Sequence, residues 1–146
     1  MSKTWVYKNN ARGGDHQKAV GDFCDVFKKI GVVHEWGGKW AFGARSRNYM
    51  DGDVEVGDSV ICYQTDKRAI VGLAEVAKLT YGDDARLWLR SVKRMPGTGV
   101  RIHELKRQGG TYAPLAKMQA WQQGVISSLY PLDASEARFM KKVLKA

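Results

Sequence analysis

The residues best suited to chemistry fall into three groups. Asp51, Asp53, Glu55 and Asp58 are close in sequence, and carboxylates at that density could hold a divalent cation. Their loop lacks the EF-hand spacing and its terminal bidentate acid, so no calcium site follows. Cys24 and Cys62 form no CxxC pair, and His16, His34 and His103 are scattered, so no zinc site of ordinary spacing is present. Gly43-Ala44-Arg45-Ser46-Arg47-Asn48 is followed by no Walker lysine, no GxGxxG occurs, and no Ser-His-Asp order stands out. The spacing therefore favours binding over catalysis, with no catalytic residue, metal or cofactor expected. What remains is aromatic and basic. Trp36, Trp40, Phe42 and Tyr49 lie in a stretch punctuated by Gly37, Gly38, Gly43 and Gly52. Arg45, Arg47 and Lys39 accompany them, and Arg86, Arg90, Lys93, Arg94, Arg101, Lys106 and Arg107 follow against one acid, Glu104. Aromatic faces stack on bases, and Lys and Arg contact phosphates and release counterions.

These groups must be positioned by a single domain, because 146 residues leave no room for two large ones. With 44% apolar and 27% charged residues the chain can build a packed core. The formal charge of +9 points to an anionic partner. No apolar run approaches membrane-helix length and no h-region follows Lys3, so neither a membrane span nor a signal peptide is expected. Two free thiols suit a reducing cytoplasm.

Thr4-Trp5-Val6-Tyr7 reads as a first strand ended by turn formers. Ala19, Val20, Phe23, Val26, Phe27 and Ile30 mark one face of a helix over 18–30, with Gly31 as its stop. Residues 32–53 read as an irregular functional loop. Val56-Gly57-Asp58 turns into a buried strand, Ser59–Tyr63, and Thr65–Arg68 turns into a return strand, Ala69–Ala77. Gly72 within that strand predicts a bulge or the close approach of another backbone. Arg86–Val92 alternates as a half-buried strand, and Val100–Gly110 suggests a short helical turn. A last strand ends at Leu132, and a final helix capped by Asp133 or Ser135 buries Ala137, Met140, Val143 and Leu144. Trp5, Trp88 and Trp121 are expected in the core.

The hairpin carries a resemblance. Val56-Gly57-Asp58-Ser59-Val60-Ile61-Cys62-Tyr63 followed by Ile70-Val71-Gly72-Leu73-Ala74-Glu75-Val76 resembles the EVE domain. Trp5-Val6-Tyr7-Lys8, Ser46-Arg47-Asn48-Tyr49-Met50 and Ser128-Leu129-Tyr130-Pro131-Leu132 are similar to its flanking segments. Where the family often has Tyr-His, this chain has Tyr63-Gln64. The resemblance implies an α+β, PUA-like fold: a small, mixed, mostly antiparallel β-barrel with flanking helices, akin to YTH domains. It also implies that the chain reads a modified base in nucleic acid. Tyr7-Lys8-Asn9-Asn10 and Gly38-Lys39-Trp40-Ala41-Phe42 look similar to the base-reading segments of YTH domains.

The expected ligand-binding residues are therefore Lys8, Asn9, Trp40, Ala41, Phe42, Ser46, Asn48, Tyr63 and Tyr81. Trp40 and Tyr81 would be cage walls, and Asn9, Ser46 and Asn48 would select at the base edge. Arg45, Arg47, Arg90, Lys93 and Arg94 would hold phosphates. The leading expectation is a non-catalytic module that captures a methylated base flipped from its stack. Two alternatives stand beside it. One is a domain of the same fold that binds free bases, nucleosides or other small molecules. The other is a nucleic-acid-modifying enzyme, for which Asp58 or His103 would have to carry turnover.

Overall fold

The structure, a computed structural model, describes residues 2–9, 23–38, 42–122 and 128–145. In chain order its elements are β1 (Thr4–Asn9), α1 (Phe23–Val26), β2 (Val33–Gly37), α2 (Ala44–Met50), β3 (Ser59–Gln64), β4 (Ala69–Leu79) and β5 (Arg86–Arg94). There follow α3 (Ile102–Gln108), two 3-10 helices (Gly110–Lys117 and Gln119–Trp121), β6 (Leu129–Leu132) and α4 (Ala134–Leu144).

The architecture starts from the Gly-Asp turn. Gly57 takes φ 94, and the Asp58 carboxylate behind it is 2% exposed. It accepts hydrogen bonds from the backbone of Lys3 (2.9 Å) and Glu55 (2.9 Å) and from Trp5 Nε1 (3.0 Å). One buried carboxylate thus ties the turn before β3 to the start of β1. The two strands then run parallel, from Thr4 opposite Ser59 to Asn9 opposite Gln64. The other pairings are antiparallel, and the six strands lie in the order β2-β5-β4-β3-β1-β6.

Gly72 meets the expectation of a bulge, while the close neighbour is a side chain and not another backbone. The β3–β4 register slips between Cys62, opposite Gly72, and Tyr63, opposite Ile70, which is a bulge. A Cβ at Gly72 would also fall 2.5 Å from the Phe27 ring. Glycine is required there because an aromatic ring lies directly on the strand.

The sheet is covered on both faces. Trp5 and Tyr7 of β1, Val60 and Cys62 of β3 and Leu87 and Leu89 of β5 pack with Phe23, Phe27, Phe42 and Met50. On the opposite face Val6, Ile61, Tyr63, Tyr130 and Leu132 pack with Ile102, Leu115, Trp121, Met140 and Leu144. Burial on both faces accounts for the nearly unbroken apolar run of β3. For α4, Asp133 is the cap: its carboxylate accepts from the Glu136 backbone (2.8 Å), and Glu136 accepts from the Asp133 backbone (3.0 Å).

The mixed α+β, mostly antiparallel fold is as expected; the closed barrel is not. The sheet curls strongly. Tyr7 on β1 and Trp36 on β2 belong to strands four positions apart, about 19 Å in a flat sheet. Their ring centroids nevertheless lie 6.1 Å apart. The end strands β2 and β6 do not pair, and α2 packs beside β6. The Ser46 hydroxyl accepts hydrogen bonds from the backbone N–H of Ser128 and Leu129, both at 3.2 Å, at the start of β6. Pro131 on β6 has no N–H to offer a further strand. Aromatic side chains, rather than a ladder, span the gap.

Two local readings change. The stretch 32–53 is not irregular, since it holds β2 and α2. The predicted first helix ends early: α1 stops at Val26 and Ile30 is 48% exposed. The chain turns there because Gly31, at φ 87, donates its N–H to Ser91 O (2.8 Å) and directs it onto β5. Residues 18–22 of the predicted helix lie outside the described residues.

Candidate nucleic-acid interface

The parallel pair brings the C-terminal ends of β1 and β3 together, and Lys8, Asn9 and Tyr63 lie there, with Lys8 opposite Tyr63. The chain leaving β3 is fastened to β1, since Thr65 donates to Asn9 O from its backbone (2.8 Å) and its hydroxyl (3.0 Å). Gln64, fully buried, bridges outward: Oε1 accepts from the Phe23 backbone (3.2 Å), and Nε2 donates to Asp66 (2.7 Å). Ser128 O accepts from the Lys8 backbone (2.8 Å), so the Ser46 contact to Ser128 holds α2 at this same end. Phe42 joins from the other side of β1, its ring 5.6 Å from that of Tyr7. Five predicted residues, Lys8, Asn9, Phe42, Ser46 and Tyr63, therefore meet at one end of the sheet.

Strand alternation divides them. Tyr7 points to the face that holds Phe23, Trp36 and Phe42, and its hydroxyl pKa is pushed far up by burial. Trp36 packs 4.7 Å from Phe23, and its buried Nε1 has no hydrogen-bond partner among the described residues. Lys8 points to the other face. Its ammonium lies 4.8 Å from the Tyr130 ring centroid and 5.7 Å from those of Tyr63 and Trp121. Burial, then Lys106, lowers the Lys8 pKa, and burial raises that of Tyr63 against Arg68 and Arg101.

A second rim is the turn between β4 and β5. Gly38 donates to Ala85 O (3.0 Å), and Arg47 of α2 pairs with Asp83 (3.3 Å). This fastens the turn, with Tyr81 66% exposed on it, to the β2–α2 connection. Arg45 and Asn48 are exposed on α2. Trp40 and Ala41 lie outside the described residues, on that same connection. Gly37, at φ 98, has no room for a side chain, because a Cβ would collide with the Phe42 ring. Phe42 itself is 3% exposed and packs as core.

The predicted phosphate contacts are less uniform than the sequence suggested. Arg90 pairs with Glu75 (2.8 Å), directly opposite on β4. Lys93 donates to Lys145 O (2.7 Å), and Arg86 engages Glu35 (2.6 Å) and Asp84 (3.1 Å). The stretch looked nearly free of acids because Glu35 and Glu75 reach it from neighbouring strands and Asp84 lies just ahead of it. Arg94 is exposed. Trp5 and Trp121 are core as expected, whereas Trp88 is half-buried under the Lys78 ammonium, 4.7 Å from its centroid. Among the described residues no helix is long and apolar enough to cross a membrane.

The family follows from the hairpin and what surrounds it. The model of the EVE domain matches residues 25–143. The chain belongs to the EVE domain family. In this EVE domain the Gly-Asp turn is the buried carboxylate that aligns β1 with β3, and the return strand is the one on which Phe27 rests. Solved structures share the fold. A protein of Leishmania major has 22% identity and a TM-score of 0.72, covering 99% of this chain and 96% of that one. Human THYN1 in complex with 5-methylcytosine-containing DNA has 14% identity and a TM-score of 0.73, covering 99% of each chain. A protein of Agrobacterium tumefaciens has 23% identity and a TM-score of 0.64, covering 99% and 92%. At these identities the likeness is one of fold. No curated protein matches the chain.

Proposed function

We propose that this EVE domain is a non-catalytic nucleic-acid-binding module that captures a methylated base, flipped from its stack, between aromatic side chains. The observation that carries the reading is EVE membership over residues 25–143, together with the aromatic and basic rim at the ends of β1 and β3. The human THYN1 fold bound to 5-methylcytosine-containing DNA supports it. So does the occupation of Asp58 by three hydrogen bonds that align strands, which leaves that carboxylate a structural task. Trp40 and Tyr81 serve as cage walls in this reading, with Asn9 and Asn48 at the base edge. The cytoplasm is its natural compartment.

Flipping a base costs a few kcal/mol. Stacking on an aromatic returns about 1–3 kcal/mol. A methyl buried against the rings adds about 0.8 kcal/mol, roughly a fourfold preference. The test is the affinity of the full chain for matched oligonucleotides with and without methylated bases, at two salt concentrations. Tighter binding of a methylated strand is expected, with Trp40→Ala abolishing the preference while unmodified binding persists. Equal affinities, unchanged by Trp40→Ala, refute the cage. Capture of free nucleosides with no salt-dependent oligonucleotide binding favours the small-molecule reading instead.

A further inference from the structure

The face of the sheet opposite the Tyr7–Phe42 aromatics carries a second concentration of charge, gathered from residues far apart in sequence. It assembles from four separate elements around the Tyr63 ring. Lys8 of β1 sits 5.7 Å from that ring, and His103 of α3 packs edge-on at 6.2 Å. Trp121 packs at 5.5 Å, and its backbone oxygen fixes Lys106 Nζ at 3.0 Å. Arg68, on the turn between β3 and β4, and Arg107, on α3, are exposed beside them. Arg101 is held by Glu104 (3.2 Å), and Asp66, on the Arg68 turn, receives the Gln64 amide. Among the described residues Lys8, Arg68, Lys106 and Arg107 have no acid within ion-pair distance. Burial, followed by Lys106, Lys8, Arg68 and Arg107, lowers the His103 pKa, so the cations already repel one another there. Like charges gathered on a rigid aromatic floor are unfavourable until an anion joins them. Lys8 lies among three rings and Lys106 donates to a backbone oxygen, which holds both ammonium groups on this face.

We propose that Lys8, Arg68, His103, Lys106 and Arg107 form an oxyanion site that takes a backbone phosphate of the bound strand, on the face opposite the Tyr7–Phe42 aromatics. The assignment rests on the nucleic-acid reading above and names where part of its affinity resides. Phosphate contacts hold a strand in register and do not distinguish bases. The site therefore contributes equally to methylated and unmethylated strands.

The experiment uses the full chain. The His103 imidazole is titrated by NMR alone, with inorganic phosphate, and with a short unmodified single-stranded oligonucleotide. The groups facing His103 are Lys8, Tyr63, Arg68, Lys106 and Arg107, with Arg101, Glu104 and Tyr130 around them, so the same titration is repeated in Arg68→Asn/Arg107→Gln. Asn tolerates the left-handed φ of 53 that Arg68 adopts. The oligonucleotide is expected to raise the His103 pKa. The double variant is expected to abolish that rise and to flatten log K against log salt by about 0.7, one single-strand phosphate contact. The ratio of methylated to unmethylated affinity should stay unchanged. A rise with inorganic phosphate but not with the oligonucleotide overturns the backbone assignment in favour of a small phosphate ligand. An unmoved His103 with an unchanged salt slope overturns the site altogether. Loss of salt slope without any methyl preference leaves this site standing and removes the base cage; methyl preference with an unchanged slope does the reverse.

Discussion

Gly72→Ala is the sharpest test of how the two faces of the sheet are built. The added Cβ would lie 2.5 Å from two Phe27 ring carbons and 2.7 Å from a third. Carbon atoms settle at about 3.5–4.0 Å, so the ring must withdraw by about 1 Å. Phe27 is 2% exposed, with Phe23 packed at 6.5 Å. The ring is buried among the described residues, and overpacking of this kind costs about 1–3 kcal/mol. Replacing glycine restricts the unfolded chain and offsets about 0.4–1 kcal/mol of that. The net expectation is a loss of roughly 1–2 kcal/mol, read as a lower urea midpoint at unchanged m-value. Phe27→Leu removes the atoms that collide. In the double variant the two losses should therefore fail to add, by roughly 0.5 kcal/mol or more. A Gly72→Ala protein as stable as the parent, or a strictly additive double variant, would mean that the approach of Phe27 is not what keeps glycine on β4.

Asp58→Ala should cost about 3 kcal/mol or more, because it orphans the buried Trp5 indole N–H and two backbone donors. Asp58→Asn keeps one acceptor oxygen and should lose less in the same urea titration, and equal losses would contradict the assigned geometry. Ser46→Ala leaves the Ser128 and Leu129 N–H groups without their shared acceptor and should cost about 1–3 kcal/mol; a stability unchanged from the parent would refute that role. His103 has a folded pKa below its unfolded value, so the unfolded chain binds the extra proton first. Its contribution is complete above about pH 6.5 and is lost as pH falls through the folded pKa. His103→Gln should remove that part of the acid sensitivity in denaturation midpoints followed downward from neutral pH.

The sequence made the hairpin and the last helix legible for physical reasons that act locally. Gly57-Asp58, the strand-forming run after it and Gly72 each state their role within a few residues. Asp133 and Glu136 likewise spell a capping box. The elements in 32–53 were hidden because β2 gains its stability from pairing, with Trp36 opposite Leu87, and not from an alternating pattern of its own. In α2 only Ser46 and Met50 are buried, one turn apart, which is too short a signal for periodicity. The failure of the barrel to close was invisible for another reason. At the edge strand β6, one serine hydroxyl takes two N–H groups more than eighty residues away, a contact that no local pattern announces. Of the candidate site, Lys8, Asn9, Phe42, Ser46 and Tyr63 meet at one end of the sheet, with Phe42 and Tyr63 on opposite faces. The charge pairing of Arg86 and Arg90 was not legible, because Glu35 and Glu75 approach across strands.

If the proposed reading and phosphate site hold, the strand alternation of β1 would give affinity and selectivity separate locations. Tyr7 and Lys8 are neighbours in sequence, yet their side chains leave the sheet in opposite directions, one into an apolar aromatic cluster and one into a cluster of cations. A field from charges held at the Lys8 face acts on any phosphate in reach and is weakened by salt. Contacts between a base and the aromatic rim are short-ranged and nearly indifferent to salt. The two contributions can thus be removed one at a time. Arg68→Asn/Arg107→Gln should alter the salt slope and spare the methyl preference, whereas Trp40→Ala should alter the preference and spare the slope. A chain in which both changed together under either substitution would have one site, not two, and the division of labour imposed by β1 would have no functional counterpart.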